Sequence, residues 1–197
     1  MDPLEFVQAH RDEFLAELEA FLRIPSVSTQ DEHKPDVEQA AAWLRARLLD
    51  AGFPKAEVMP TAGHPVVYAE WMAAGADAPS VLIYGHYDVQ PPDPLDLWET
   101  PPFEPTVIGD DLFARGASDD KGQLYVHVKA AEAFRETEGA PPVNVKCIFE
   151  GEEEMGSPSL EPFIREHQDL LAADVAVISD TGMLGKGTPS IVYGLRG

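Results

Sequence analysis

Apolar side chains recur at helical spacing along the start of the chain. Leu4, Val7, Phe14, Leu18 and Phe21 fall on one helical stripe, and Pro25 ends the run. Asp2 followed by Pro3 supplies the start of that helix, because the Asp side chain can accept an open N–H and the Pro ring already holds a helical φ. The spacing predicts a second helix over 36–50, with Ala40, Ala41, Leu44 and Leu48 on one face and Gly52 just past its end. A third is predicted over 122–137 with Leu124, Val128, Ala131 and Phe134 as its buried stripe, and 160–171 reads as mostly helical. Between these segments the pattern changes. Residues 66–71 read as a strand, and 81–84, 143–149 and 175–178 are short continuous apolar runs that suit strands buried on both faces. A proline-rich stretch over 91–105 carries Trp98 and Phe103, which predict an anchored loop and not a linker. Amphipathic helices alternating with buried strands imply an α/β fold, a three-layer α/β/α sandwich around a mixed, mostly parallel sheet.

Composition narrows the possible functions. A hydrophobic fraction of 44% supports a packed core and excludes global disorder. With 35 Asp+Glu against 14 Lys+Arg, the net charge of −21 repels phosphate, so neither nucleic acid nor an anionic membrane is an expected partner. The first residues lack the basic and apolar regions of a secretory leader, and no apolar run approaches ~18 residues, so the expected location is cytoplasmic. The single cysteine, Cys147, excludes an internal disulfide and a cysteine-rich zinc module, and its apolar neighbours mark it as a core residue. The acidic excess leaves room for a metal site.

Each buried run ends in polar residues of a particular kind. Residues 81–84 lead into Gly85-His86-Tyr87-Asp88, residues 143–149 into Glu150-Gly151-Glu152-Glu153-Glu154, and residues 175–178 into Ser179-Asp180. In open α/β sheets the ligand crevice lies beyond the carboxyl ends of the strands. If these strands are parallel neighbours, His86, the Glu152–Glu154 run and Asp180 converge there. Asp119-Asp120 adds acidic groups in a glycine-bounded loop ahead of the third helix. Each feature alone has an ordinary explanation, whether a surface histidine, a solvated acidic face or a helix-capping turn. Brought together, one imidazole and several carboxylates repel one another unless a cation is present, and that donor mix suits zinc, manganese or cobalt better than calcium. His86-x-Asp88 also fits a pattern in which one ring nitrogen ligates a metal while the other faces a carboxylate.

Four ordered stretches resemble the motifs of the M20 metallopeptidase family, in its dipeptidase branch of cytosolic non-specific dipeptidases and carnosinases. They are Tyr84-Gly85-His86-Tyr87-Asp88-Val89-Gln90-Pro91, Arg115-Gly116-Ala117-Ser118-Asp119-Asp120-Lys121-Gly122, Glu150-Gly151-Glu152-Glu153-Glu154-Met155-Gly156-Ser157 and Ile178-Ser179-Asp180, and the match runs on to residues 192–197. The resemblance implies two divalent metal ions, zinc foremost with manganese or cobalt as alternatives. In it His86 and Asp180 hold the first ion, Asp119 bridges, Glu154 binds the second, Asp88 orients His86 and Glu153 is the general base. It implies a zinc-peptidase-like fold, a cis peptide between Asp119 and Asp120, and no role for Glu152, which is expected to be exposed. The implied substrates are dipeptides or short peptides.

The resemblance also implies that residues 1–197 are the N-terminal portion of a catalytic domain. Family members are about twice as long. Their lid domain, through which the parent protein is expected to form homodimers, and the C-terminal segment that supplies the last histidine of the second metal site have no counterpart here. His10, His33, His64, His127 and His167 match no family motif, and His127 alone lies near one. An N-acyl amino acid amidohydrolase with the same metal core, or a non-catalytic fragment, are the alternative readings.

Overall fold

The computed structural model describes residues 1–188, 190–192 and 194, so most of the last motif-like stretch, Tyr193 and residues 195–197, lies outside the described residues. The opening apolar stripe folds as two helices, α1 (Pro3–Ala9) and α2 (Arg11–Leu22). Asp2 caps α1 as the sequence predicts. Its carboxylate accepts the Glu5 N–H at 2.8 Å, and the Glu5 carboxylate accepts the Asp2 N–H at 3.1 Å. The break falls at His10, where ψ rises to 16° and the ring Nδ1 turns back to lie 2.9 Å from the Phe6 carbonyl.

The later elements are α3 (Lys34–Asp50), β1 (Lys55–Met59), β2 (Val66–Trp71), β3 (Ser80–His86), the small hairpin β4 (Thr106–Ile108) and β5 (Asp111–Phe113), α4 (Lys121–Glu138), β6 (Asn144–Glu150), α5 (Leu160–Glu166), α6 (Gln168–Leu171) and β7 (Val175–Ile178). Strand β1 has no clear signal in the sequence, because only Ala56 of its five residues is buried and Lys55 and Glu57 interrupt any apolar run. The proline-rich loop is anchored as expected: Trp98 Nε1 donates to the Pro92 carbonyl at 2.7 Å, and the Arg115 guanidinium lies over its ring.

The main sheet has the order β1-β2-β6-β3-β7. Strands β1, β2 and β6 pair antiparallel, whereas β6, β3 and β7 are parallel neighbours. The sheet is therefore mixed, and its parallel half is the half that carries the polar strand ends. On one face α3 and α4 cover the larger core, which contains Phe21, Leu44, Leu48, Val67, Leu124, Val128, Cys147 and Phe149. Burial there pushes the Cys147 thiol pKa well up, consistent with a packing role. The other face packs Val66, Tyr68 and Ile148 against Phe163 and Leu171 of the short helices. These layers make the α/β/α sandwich.

Two strands are less buried than their apolar runs imply. In β3, Leu82 and Tyr84 are only half-buried, since α5 and α6 are short and cover little of that face. Strand β7 is exposed, with 55% of Val175 and 59% of Ile178 open to solvent, because it is the edge strand and pairs with β3 alone. Among the described residues, no helix is long and apolar enough to cross a membrane.

Candidate metal centre

Strand register brings the polar ends together. Tyr84 is paired with Ile148 on one side and Ile178 on the other, and His86 with Glu150. Two residues past Ile178, Asp180 thus comes level with His86, and the Glu152–Glu154 run leaves β6 beside them. The His86 ring is fully buried. Its Nε2 lies 3.0 Å from Asp119 Oδ1 and 3.6 Å from Asp180 Oδ2. Its Nδ1 lies 3.1 Å from the Asp88 carbonyl and 3.3 Å from Asp88 Oδ1. Two donor sets share this imidazole, His86 with Asp119 and Asp180, and His86 with Glu153 and Glu154, and within each set the donor atoms lie within 4.8 Å of one another. All six site residues named from the sequence meet here.

Asp88 is fully buried and ties the two sets together. Its carboxylate accepts the Ser28 hydroxyl at 2.6 Å and the backbone N–H groups of Glu153 and Glu154 at 3.2 and 3.1 Å. It therefore holds the 3-10 turn over Glu153–Met155 as well as facing the His86 ring.

The electrostatics are those of a crowded acidic site. Burial by itself would lower the His86 pKa, but the carboxylates of Asp88, Asp120 and Asp119 outweigh it and hold the ring at about 10, so a metal must displace a proton to bind there. Burial, helped by the charges of Asp119 and Glu153, pushes Glu154 upward against the opposing hydrogen bond from Gln90 Nε2 at 2.7 Å. Burial also raises Asp120 to about 7, although the His86 N–H donates to its Oδ2 at 3.1 Å.

The loop that carries Asp119 is folded tightly onto the start of α4, and the Asp119–Asp120 peptide is cis, as the resemblance implies. A Cβ on Gly122 would lie 2.0 Å from the Ala117 carbonyl oxygen, so only glycine admits this return of the backbone. Lys121 has no role in the sequence reading, yet it is fully buried. Its Nζ donates to the carbonyls of Ile24 at 2.6 Å and Phe21 at 3.2 Å, pinning the loop to the end of α2, and burial lowers its pKa to about 7.

Glu152 departs from expectation. It is 3% exposed, and its carboxylate accepts the backbone N–H groups of His64 at 2.8 Å and Ser159 at 3.0 Å. An acidic triplet gives no sign of this, because the first of those donors is 88 residues away. Glu152→Ala leaves two buried donors without a partner, and the expected result is a loss of roughly 2–4 kcal/mol of unfolding free energy in chemical denaturation. Among the described residues, none of the other histidines joins either donor set. His127 Nε2 lies 3.0 Å from Ser179 Oγ, and burial lowers the pKa of its ring. His64 Nε2 lies 3.2 Å from the Ser28 carbonyl.

The fold and this site define an α/β protein with a candidate metal centre at the ends of parallel strands. Residues 82–194 match the family model described as Peptidase family M20/M25/M40, and the chain belongs to that family. It is 36% identical to the Cys-Gly metallodipeptidase dug1 of Schizosaccharomyces pombe over 98% of its own length and 43% of the relative's. It is also 36% identical to the Beta-Ala-His dipeptidase of Rattus norvegicus, over 98% of this chain and 42% of that one. The crystal structure of human carnosine dipeptidase 1 superposes with a TM-score of 0.83 at 33% identity, covering 91% of this chain and 40% of that one. The chain thus spans about two-fifths of the length of the curated relatives it matches.

Proposed function

We propose that residues 1–197 are the N-terminal portion of the catalytic domain of a dinuclear metal-dependent peptidase that hydrolyses the amide bond of dipeptides or short peptides. The observation that carries this reading is the meeting of His86, Asp119, Asp180, Glu153 and Glu154 at the ends of three neighbouring strands. The donor set fits the group. One imidazole nitrogen and four carboxylates suit zinc, with manganese or cobalt as alternatives, and two overlapping sets suit a pair of ions. Paired ions supply Lewis-acid polarisation of a scissile carbonyl and a lowered pKa for an attacking water.

The chain's own residues divide the remaining work. His86 and Asp180 would hold the first ion, Glu154 would hold the second, and Asp119 would be shared between them. Asp88 orients the His86 ring from its Nδ1 side and fixes the backbone of the Glu153–Glu154 turn. Glu153, whose carboxylate stands at the rim of the same cluster, takes the proton from the nucleophile and returns it to the leaving amine. The Cys-Gly and Beta-Ala-His dipeptidases among the relatives support a dipeptide substrate. A cytoplasmic setting, and a homodimer formed through a lid outside these residues, belong to the same proposal.

Metal analysis by mass spectrometry tests the reading. After incubation with Zn²⁺, Mn²⁺ or Co²⁺ the chain should retain bound metal, and absence of bound metal at saturating concentrations would overturn it.

A further inference from the structure

The segment that follows α2 reaches into the site without being part of it. Val27 forms a parallel bridge with Val89, and the Val89 N–H donates to the Ser26 carbonyl at 3.0 Å, so this segment lies against the backbone just past β3. The two serines flanking Val27 do different things. Ser26 is buried and its hydroxyl donates to the Tyr87 carbonyl at 2.7 Å. Ser28 is buried one step further on, and its hydroxyl donates to Asp88 Oδ2 at 2.6 Å.

We infer that Ser28 is a positioning residue for the metal centre, acting through Asp88. This rests on the reading of the site given above. Asp88 Oδ1 faces His86 Nδ1 and accepts the Glu153 N–H, while Oδ2 accepts the Glu154 N–H. All those contacts come from the site itself. The Ser28 hydroxyl is the side-chain donor from outside it, and it helps fix the plane of the carboxylate against a separate segment of the chain. The opposite side of Ser28 is held too, since its carbonyl lies 3.2 Å from the His64 ring and the His64 N–H donates to the buried Glu152. Without the hydroxyl, Asp88 Oδ2 loses its shortest hydrogen bond, and the carboxylate is held by the two longer backbone contacts of the turn, at 3.1 and 3.2 Å. It then sets the His86 ring and the Glu153–Glu154 turn less tightly, so one hydrogen bond bears on the geometry of both donor sets. Partners that orient a metal-binding histidine typically change metal affinity by about 10- to 100-fold when removed.

The test compares Ser28→Ala with Ser26→Ala in the 197-residue chain. Both remove one buried serine hydrogen bond from the same short segment, but only the Ser28 hydroxyl bonds Asp88. Ser28→Ala should weaken Co²⁺ binding by about 10- to 100-fold and alter the visible absorption of the bound ion. It should also speed hydrogen exchange at the Glu153 and Glu154 amides in the metal-free protein. Ser26→Ala should leave all three unchanged, and Ser28→Thr, which keeps the hydroxyl, should restore affinity relative to Ser28→Ala. Equal losses in the two alanine variants, or a Ser28→Ala affinity within twofold of the unmodified chain, would overturn the inference. If the unmodified chain binds no Co²⁺, the metal reading fails. The exchange rates of the two amides then decide separately whether Ser28 holds the turn.

Discussion

His86→Ala is expected to weaken divalent-metal binding by about 100-fold or more, measured by calorimetric titration with Zn²⁺ or Co²⁺, because a direct ligand should matter at least as much as the groups that orient it. The imidazole belongs to both donor sets and is their only nitrogen donor. Its removal leaves Asp119, Asp180, Glu153 and Glu154 as an all-carboxylate cluster around a small void. In the metal-free protein the ring also serves as the local cation, held in its charged form by Asp88, Asp120 and Asp119. The variant therefore loses a ligand and the group that offsets carboxylate repulsion. Affinity within tenfold of the unmodified chain would show that the carboxylates alone hold the metal and that the assignment of His86 is wrong.

Glu153→Gln is expected to reduce dipeptide turnover by about 10²- to 10⁴-fold in the longer protein that the proposed reading assigns to this chain, with metal content unchanged. Glutamine has the same shape and keeps an oxygen, so a loss of metal is not anticipated. It cannot accept a proton at neutral pH, so the step that activates water and the step that protonates the leaving amine both fail. The backbone N–H of residue 153 still reaches Asp88, so the turn should keep its place. Near-normal turnover would remove Glu153 from the chemistry. Loss of metal together with loss of turnover would make it a ligand, which its position in the second donor set also permits.

Much of this architecture is legible in local pattern. The Asp2–Pro3 start, the α3 stripe from Ala40 to Leu48, the α4 stripe around Leu124 and Val128, and the fully buried β6 all follow from periodicity that solvent exclusion imposes on neighbouring residues. The strand-end chemistry is legible for a related reason. A polar residue placed directly after an apolar run must emerge where the strand leaves the core, so His86, Glu153, Glu154 and Asp180 could each be placed at the carboxyl end of a strand before the strand order was known. Other features could not be read this way. The division of the first stripe at His10 depends on one ring turning back to a carbonyl. The exposure of β7 depends on its place in the sheet, which composition does not encode.

The sequence by itself determined which residues carry donor atoms, that they follow buried strands, and that the family is M20. Tertiary structure decided which of them meet. It aligned β6, β3 and β7 in one direction, drew Glu152 inward to backbone donors, buried Lys121 under the end of α2 and set Ser28 against Asp88. The physical reason is separation along the chain. Hydrophobic periodicity acts between neighbours and leaves its mark in local order, whereas a buried carboxylate or ammonium is stabilised by partners some 60 to 100 residues away, and nothing in its own neighbourhood records them.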